Sequence, residues 1–504
     1  MDSSRITQRP DKGHEIREAP APGDWPSFAE IREPAMVGLH VGNGSASKPF
    51  QAYLDGHPQV YMLPAYPLIY FYPHWEDWKE KFKDTWDWSS IIDAFCTQHA
   101  SVIDTRRIPG FNGLTGLGET QDQHLEIDEG LFRAFLAHLL DGRPIRSRTF
   151  LLAIHYAFAF CNGEDLNRKS VLVFHIHVPE YISRYLAVDF PDLKTIGCVR
   201  DPRSNIGGRF YNSFINVDDQ QFNRTDAAVY RRRTYCLVCS HLYTGLEAVR
   251  GLDPQKTKVF RAEDLHHRRA ELMDSVAEFL GIDKDSCFES FTFGGLLWWG
   301  DAVYNMNPLN EFNPRVVSDS WKKEISAVDW FVLEGLFYDY FRKFGYTSFK
   351  YRSDSFLNRL LLFTALFIPS QFERRIILGY LNPKSVIGFI AACYAESSGG
   401  TPLKDYSFSA SYRHKITTRD LKMWKPRWYA TLVRRIQQFS EENPDSSLIA
   451  PFRWLGIVIY TAANLCRYVF SLLLMPVMFA RRLRLMLAAF WQRLTNSNSL
   501  PDYL

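Results

Sequence analysis

Five short apolar runs, each rich in β-branched or aromatic residues, are separated by longer stretches with helical periodicity. This alternation constrains the fold more than any other feature of the chain. The runs cover residues 36–41, 59–62, 171–177, 195–199 and 256–260. A strand buried on both faces reads as a nearly continuous hydrophobic run, as these do. Between them, stretches such as "LFRAFLAHLLDG" and "RAELMDSVAEFLGI" repeat apolar residues every three or four positions. Strands alternating with helices predict an α/β domain, a parallel sheet flanked by helices. The last helical pattern of that domain spans 320–346, with Gly345 as its stop.

Charge divides the chain where this pattern ends. The net charge of +3 hides an asymmetry: residues 1–351 hold 39 basic and 47 acidic side chains, and 352–504 hold 20 and 9. Three regions are therefore expected: a polar, proline-containing tail over 1–34, an α/β domain over 35–351, and a basic, mainly helical region over 352–504. The first 35 residues carry no apolar core of the kind a signal peptide needs, so a cytoplasmic location is expected. Eight scattered cysteines are too few for a disulfide-stapled domain, and the one CxxC, Cys236 and Cys239, lies in a helical pattern and reads as a buried helix face.

The region after 352 alternates apolar blocks with charge. Residues 454–480 are long enough to span a bilayer, but Asn464 and Arg467 fall in the middle, and an arginine there costs roughly 2.5–3.5 kcal/mol. Basic segments with Trp, Phe and Leu on one side suit a membrane interface, with Arg481, Arg482 and Arg484 toward anionic headgroups. A packed helical subdomain, a dimer interface and a true span remain open alternatives.

The chemistry-bearing residues lie at the ends of the apolar runs. After the first comes "GNGSASK": Gly42, Gly44, Ser45 and Ser47 are small enough for backbone N–H groups to approach an anion, and Lys48 opens a helix whose N-terminus favours negative charge. Lys48 falls where the lysine of a GxxxxGK(S/T) loop falls, but Pro49 replaces the metal-binding hydroxyl, which argues against a kinase or NTPase. After the fourth run comes "RDPR", whose Arg200 can grip a phosphate from a strand end. His175 and His177 alternate at the end of the third run and so share one face. A histidine there is either a satisfied rim residue or a base.

"VGNGSASKPFQAYLDGHPQV", "VLVFHIHVPEY", "VRDPRSN" and "RVVSDSWKKEIS", in that order, resemble the motifs of sulfotransferases that use 3'-phosphoadenosine 5'-phosphosulfate (PAPS). The resemblance covers 35–350 and implies a P-loop-like sulfotransferase fold. It implies the catalytic base at His177, with His175 in place of a lysine as a contact to cofactor or transition state. Arg200 and Arg315 would hold the 3'-phosphate, and Trp321 and Lys322 would lie near the adenosine, Trp321 equally being core. The Arg or Lys that the family places before Ser-Gly is absent from the loop, and Gly208 stands where a serine is usual. Lys48 can supply the first charge from the adjacent turn, and Arg209 or Ser204 can compensate for the second, as readings of position. The implied reaction is sulfuryl transfer from PAPS to a hydroxyl, with no metal and no nucleic acid involved. The basic apolar tail points to a membrane-associated acceptor such as a lipid-linked glycan or glycolipid, and to an enzyme peripheral at the cytoplasmic face of a membrane. A catalytically silent PAPS- or PAP-binding assembly subunit is the main alternative.

Overall fold

The structure, a computed structural model, describes residues 22–41, 47–107, 113–176, 185–205, 253–300, 321–398, 428–495 and 500–504. Its centre is a six-stranded, all-parallel sheet formed by β1 (Ala35–Val41), β2 (Val60–Tyr61), β3 (Val171–Ile176), β4 (Lys194–Val199), β5 (Thr257–Arg261) and β8 (Asp502–Tyr503), in the order β2-β3-β1-β4-β5-β8. A small antiparallel hairpin, β6 (Thr292–Phe293) and β7 (Leu296–Leu297), stands apart. The first five strands coincide, within a residue or two at each end, with the apolar runs. β8 does not: two residues at the far end of the chain pair with Lys258 and Val259.

Alternation along the strands sends side chains to two different cores. Val37, Leu39, Val173, Ile196 and Cys198 face helix α1 (Ser47–Leu54) and the helix Arg269–Leu280. Met36, Leu172, Phe174 and Ile176 face the opposite way, onto helices α2 (Phe71–Lys81), α3 (Trp88–Gln98), α4 (Glu129–Leu140) and α5 (Ser147–Cys161). Every residue of α5 from Phe150 to Ala159 is buried, as expected of a helix that is apolar all round. Gly38 admits the Ile176 side chain, since a Cβ at Gly38 would lie 2.6 Å from Ile176 Cδ1.

On that second side, beyond β4, Val199 and Val259 belong to a core cluster that runs without a break through Trp321, Leu336 and Phe341 into the C-terminal helices as far as Phe490. Residues after 352 form helices Phe356–Ala365, Gln371–Leu381, Pro383–Ser397, Trp428–Glu442, Ile449–Leu473 and Met475–Thr495. Arg482 donates to Glu373 at 2.7 Å, and Arg493 donates to the Gly335 carbonyl and to Asp354, so buried ion pairs help tie the helices together and to the α/β part. Within the described residues, Ile449–Thr495 is long and apolar enough to cross a membrane, and Gln371–Leu381 with Pro383–Ser397, bent by 61°, is so as a pair.

Candidate functional site

The strand order marks a point of divergence before any side chain is considered. From β1 the chain leaves toward β2 on one side of the sheet, and from β4 it leaves toward β5 on the other, although β1 and β4 are neighbours. In open α/β sheets, ligands settle at the carboxyl edge where connections diverge in this way. Lys48 is the second residue of the helix that follows β1, and Arg200 is the first residue after β4. Both therefore follow the carboxyl ends of neighbouring strands.

Lys48 is buried, and its Nζ lies 5.3 Å from the centroid of the Tyr66 ring and 5.9 Å from that of Trp298. Aromatic faces hold an ammonium while leaving it charged. The ring of Tyr66 meets His175 edge-on at 5.2 Å. His175 in turn is fixed by α1: its Nδ1 stands 3.0 Å from Gln51 Oε1, and Gln51 Nε2 donates to the Ala65 carbonyl at 2.8 Å. Because the amide NH2 is used by that carbonyl, the amide oxygen must face the imidazole. Nδ1 then carries the proton, and Nε2 is the basic nitrogen of neutral His175. Ala65 takes a left-handed φ of 57°, an uncommon backbone state for a residue with a Cβ, one that concentrates at functional sites.

The two arginines of "RDPR" have different surroundings. Arg200 is half-buried, donates from Nη2 to Ser204 Oγ at 3.0 Å, and its carbonyl accepts from Tyr340 Oη. Arg203 is buried and fully engaged. It donates to both oxygens of Asp201, to Glu334 at 2.5 Å and to the Thr347 carbonyl, and its guanidinium lies 4.2 Å from the Trp321 ring centroid. Glu334 also accepts from the backbone N–H groups of Phe349, Lys350 and Tyr351. Trp321 is buried beneath Arg203, edge-on to Trp330 at 4.7 Å, and Lys322 is exposed with Nζ 4.7 Å from the Phe349 ring. Trp321 is thus placed in the core. Gly42, Gly44, Ser45, His177, Arg209 and Arg315, with Gly208 and the Cys236–Cys239 pair, lie outside the described residues; Ser47 is buried in the first turn of α1.

"LDGHP" has a structural role here. Asp55 receives the Thr292 hydroxyl and the N–H groups of Gly294 and Gly295, so it clasps the β6–β7 turn. Gly56 takes φ 73°, which turns the chain so that His57 can bridge the Gln59 N–H and the Asp283 carbonyl. On β1, His40 is buried with no hydrogen-bond partner for either ring nitrogen among the described residues, and burial lowers its pKa to about 4. Glu263 accepts from the Asp201 N–H and from Tyr346 Oη, and burial raises its pKa.

Compared with known proteins, the chain matches no family profile and no curated sequence. Among solved structures it aligns with the sulfotransferase domain of the Synechococcus PCC 7002 olefin synthase, at 16% identity and a TM-score of 0.30, over 57% of this chain and 87% of that one. A TM-score of 0.30 does not establish a common fold.

The residues missed at the level of sequence are Gln51, Tyr66 and Trp298. Each is meaningful only through a partner distant in the chain. The aromatic content around Lys48 offered no local signal that two rings would cradle an ammonium.

Proposed function

We propose that this chain transfers a sulfuryl group from PAPS to a hydroxyl of a membrane-associated acceptor, a glycan or glycolipid. What supports the reading is that Lys48 and Arg200, one from each phosphate-like motif, follow β1 and β4, which are neighbouring strands of the sheet.

The residues present fit a bisphosphorylated adenosine nucleotide. A helix N-terminus with a buried lysine stands at one strand end and a half-buried arginine at the next, which suits two separate anionic groups. Bound PAPS supplies the electrophilic sulfur. Lys48 neutralises charge near the 5' end, and Arg200, with Arg315, holds the 3'-phosphate. His177 takes the proton of the acceptor hydroxyl as the acceptor oxygen bonds to sulfur and the bond from sulfur to the nucleotide breaks. Transfer of this kind depends on alignment and on stabilising dispersed negative charge more than on covalent assistance. Gln51 keeps the Nε2 of neutral His175 basic, which suits a contact that donates to an anion only when protonated. The C-terminal helices hold the enzyme at the cytoplasmic face of the membrane that carries the acceptor.

Labelled PAPS incubated with the full chain and cell-envelope extract should yield a labelled glycan or glycolipid, and His177→Ala should abolish the label. Equal label with wild type and variant would remove the reading. The loop's missing basic residue and Gly208 favour a second reading, a nucleotide-binding assembly subunit without transferase activity. That subunit would bind PAP and transfer nothing.

A further inference from the structure

Apart from Val188 and Phe349, every large apolar side chain left exposed among the described residues lies at or beyond Phe356. The helices Pro383–Ser397 and Ile449–Leu473 account for much of this surface. They run antiparallel: Arg453 donates to the Ser398 carbonyl at one end, and the rings of Phe389 and Tyr468 meet at 4.8 Å toward the other. Their outer sides are continuous, since Tyr394 and Trp454 touch at 6.2 Å.

The outer side of Ile449–Leu473 is a stripe of Leu455, Val458, Ala462, Cys466, Val469 and Leu473, spaced by three or four residues and free of charge. At 1.5 Å per residue that stripe runs about 27 Å. On Pro383–Ser397 the corresponding side carries Ile387, Ile390 and Tyr394. The two polar residues that interrupt the apolar sequence of the long helix are turned inward. Asn464 is buried and bonded to the Tyr460 carbonyl, and Arg467 Nη1 donates to Asn464 and to Tyr429 Oη.

Helix Trp428–Glu442 packs along the other side of Ile449–Leu473, from Tyr429 beside Asn464 to Ile436 beside Gly456, where a Cβ would come within 3.1 Å. Its outer side exposes Arg435, Gln438, Glu441 and Glu442, with Trp428 at its start and Phe439 between them. If the long helix crossed a bilayer, this companion would carry Arg435, beside Ile436 and Gly456, into hydrocarbon, at a cost of kilocalories. Laid flat, the apolar stripe faces lipid while Arg435, Gln438, Glu441 and Glu442 face water.

The charges around the stripe select the surface. Arg453, Arg481, Arg484 and Lys384 are exposed, and from 446 to 495 there is no acidic residue, while the two between 355 and 398, Glu373 and Glu396, are buried. Flanking charge that is mainly basic, with the exposed acids Glu441, Glu442 and Asp445 confined to the companion helix and the turn after it, opposes its own copy across a two-fold axis and attracts anionic headgroups. We infer that the joint face of helices Pro383–Ser397 and Ile449–Leu473 lies in the interface of an anionic bilayer, parallel to its plane, without crossing it.

The inference shares membrane association with the proposed function but none of its chemistry, and its test reads no transfer. The full chain is floated with vesicles of phosphatidylcholine and with an equimolar mixture of phosphatidylcholine and phosphatidylglycerol. Expected are flotation with the mixed vesicles, weaker flotation with phosphatidylcholine alone, release by alkaline carbonate, and at least a ten-fold loss of binding in Leu455→Asp/Val458→Asp with Gln438→Asp unchanged. If the aspartates also lower the melting temperature, Leu455→Ser/Val458→Ser is compared instead and should still lose binding. Wild-type flotation by a pair that folds normally would overturn the inference, as would resistance to carbonate, which marks a span. So would a protein that ignores vesicles and forms a dimer that the same substitutions dissociate.

Discussion

Arg203 donates to Glu334 at 2.5 Å across 131 residues of chain, and both side chains are buried. The pair joins the end of β4 to the helix Ala327–Leu336 and, through the Glu334 bonds to the backbone at 349–351, to the entry of the C-terminal helices. Removing one member of a buried pair strands the other, at a cost of about 3–5 kcal/mol. Arg203→Ala should therefore lower unfolding stability by about that amount in denaturant titration. Arg200→Ala, three residues away and half-buried, should cost far less and act on nucleotide binding instead. Equal stability losses would mean that the two arginines of the motif are not divided in this way.

Gln51 connects α1 to β3 through His175 and to the strained turn at Ala65. Gln51→Leu leaves the His175 Nδ1–H and the Ala65 carbonyl buried without that partner, which predicts a loss of about 1–3 kcal/mol in stability. Gln51→Glu keeps an acceptor for Nδ1 but cannot donate to Ala65, and should fall between wild type and Gln51→Leu in the same titration.

Acid should destabilise the fold in a defined window. Burial lowers the pKa of His40 to about 4, of His155 to about 4 and, with His74 adding to the effect, of His99 to about 3, against 6.5 for the free side chain. The unfolded chain binds these protons first, so stability is full above about 6.5 and falls as pH drops toward 4. His40 alone corresponds to about 3 kcal/mol over that window. His40→Leu, which leaves no described polar partner behind, should flatten part of the loss between pH 7 and pH 4 in thermal melts. An unchanged slope would show that His40 is not buried neutral.

The clasp at Asp55 predicts a separable effect. Asp55→Ala leaves the Gly294 and Gly295 N–H groups and the Thr292 hydroxyl without their acceptor, with an expected cost of about 1–3 kcal/mol or more. PAP affinity should change little, because Asp55 faces the β6–β7 hairpin. A large affinity loss with unchanged stability would assign this segment to the nucleotide instead.

The sheet was legible because strands buried on both faces must be apolar throughout, and β1, β3, β4 and β5 are. β8 was not, since two residues at a sheet edge pair through tertiary contact and leave no periodic trace. Lys48 and Arg200 are nominated by loop composition and by a strand end, and their role toward a nucleotide is what the titration below tests. The separate role of Arg203 could not, because Glu334 is distant in sequence and only the fold brings it near. Asn464 and Arg467 show the same limit in reverse: as letters they interrupt an apolar helix, and as side chains they close onto Tyr429 and leave the outer stripe unbroken.

The central claim is that Lys48 and Arg200 grip two ends of one nucleotide. Calorimetric titration of PAP into the full chain, into Lys48→Ala and into Arg200→Ala tests it most directly. A charge-assisted hydrogen bond is worth about 1.5–3 kcal/mol, so each variant should bind about ten- to a hundred-fold more weakly than wild type while keeping its melting temperature. Wild-type protein that binds no PAP, or two variants that bind it as wild type does, would contradict the account.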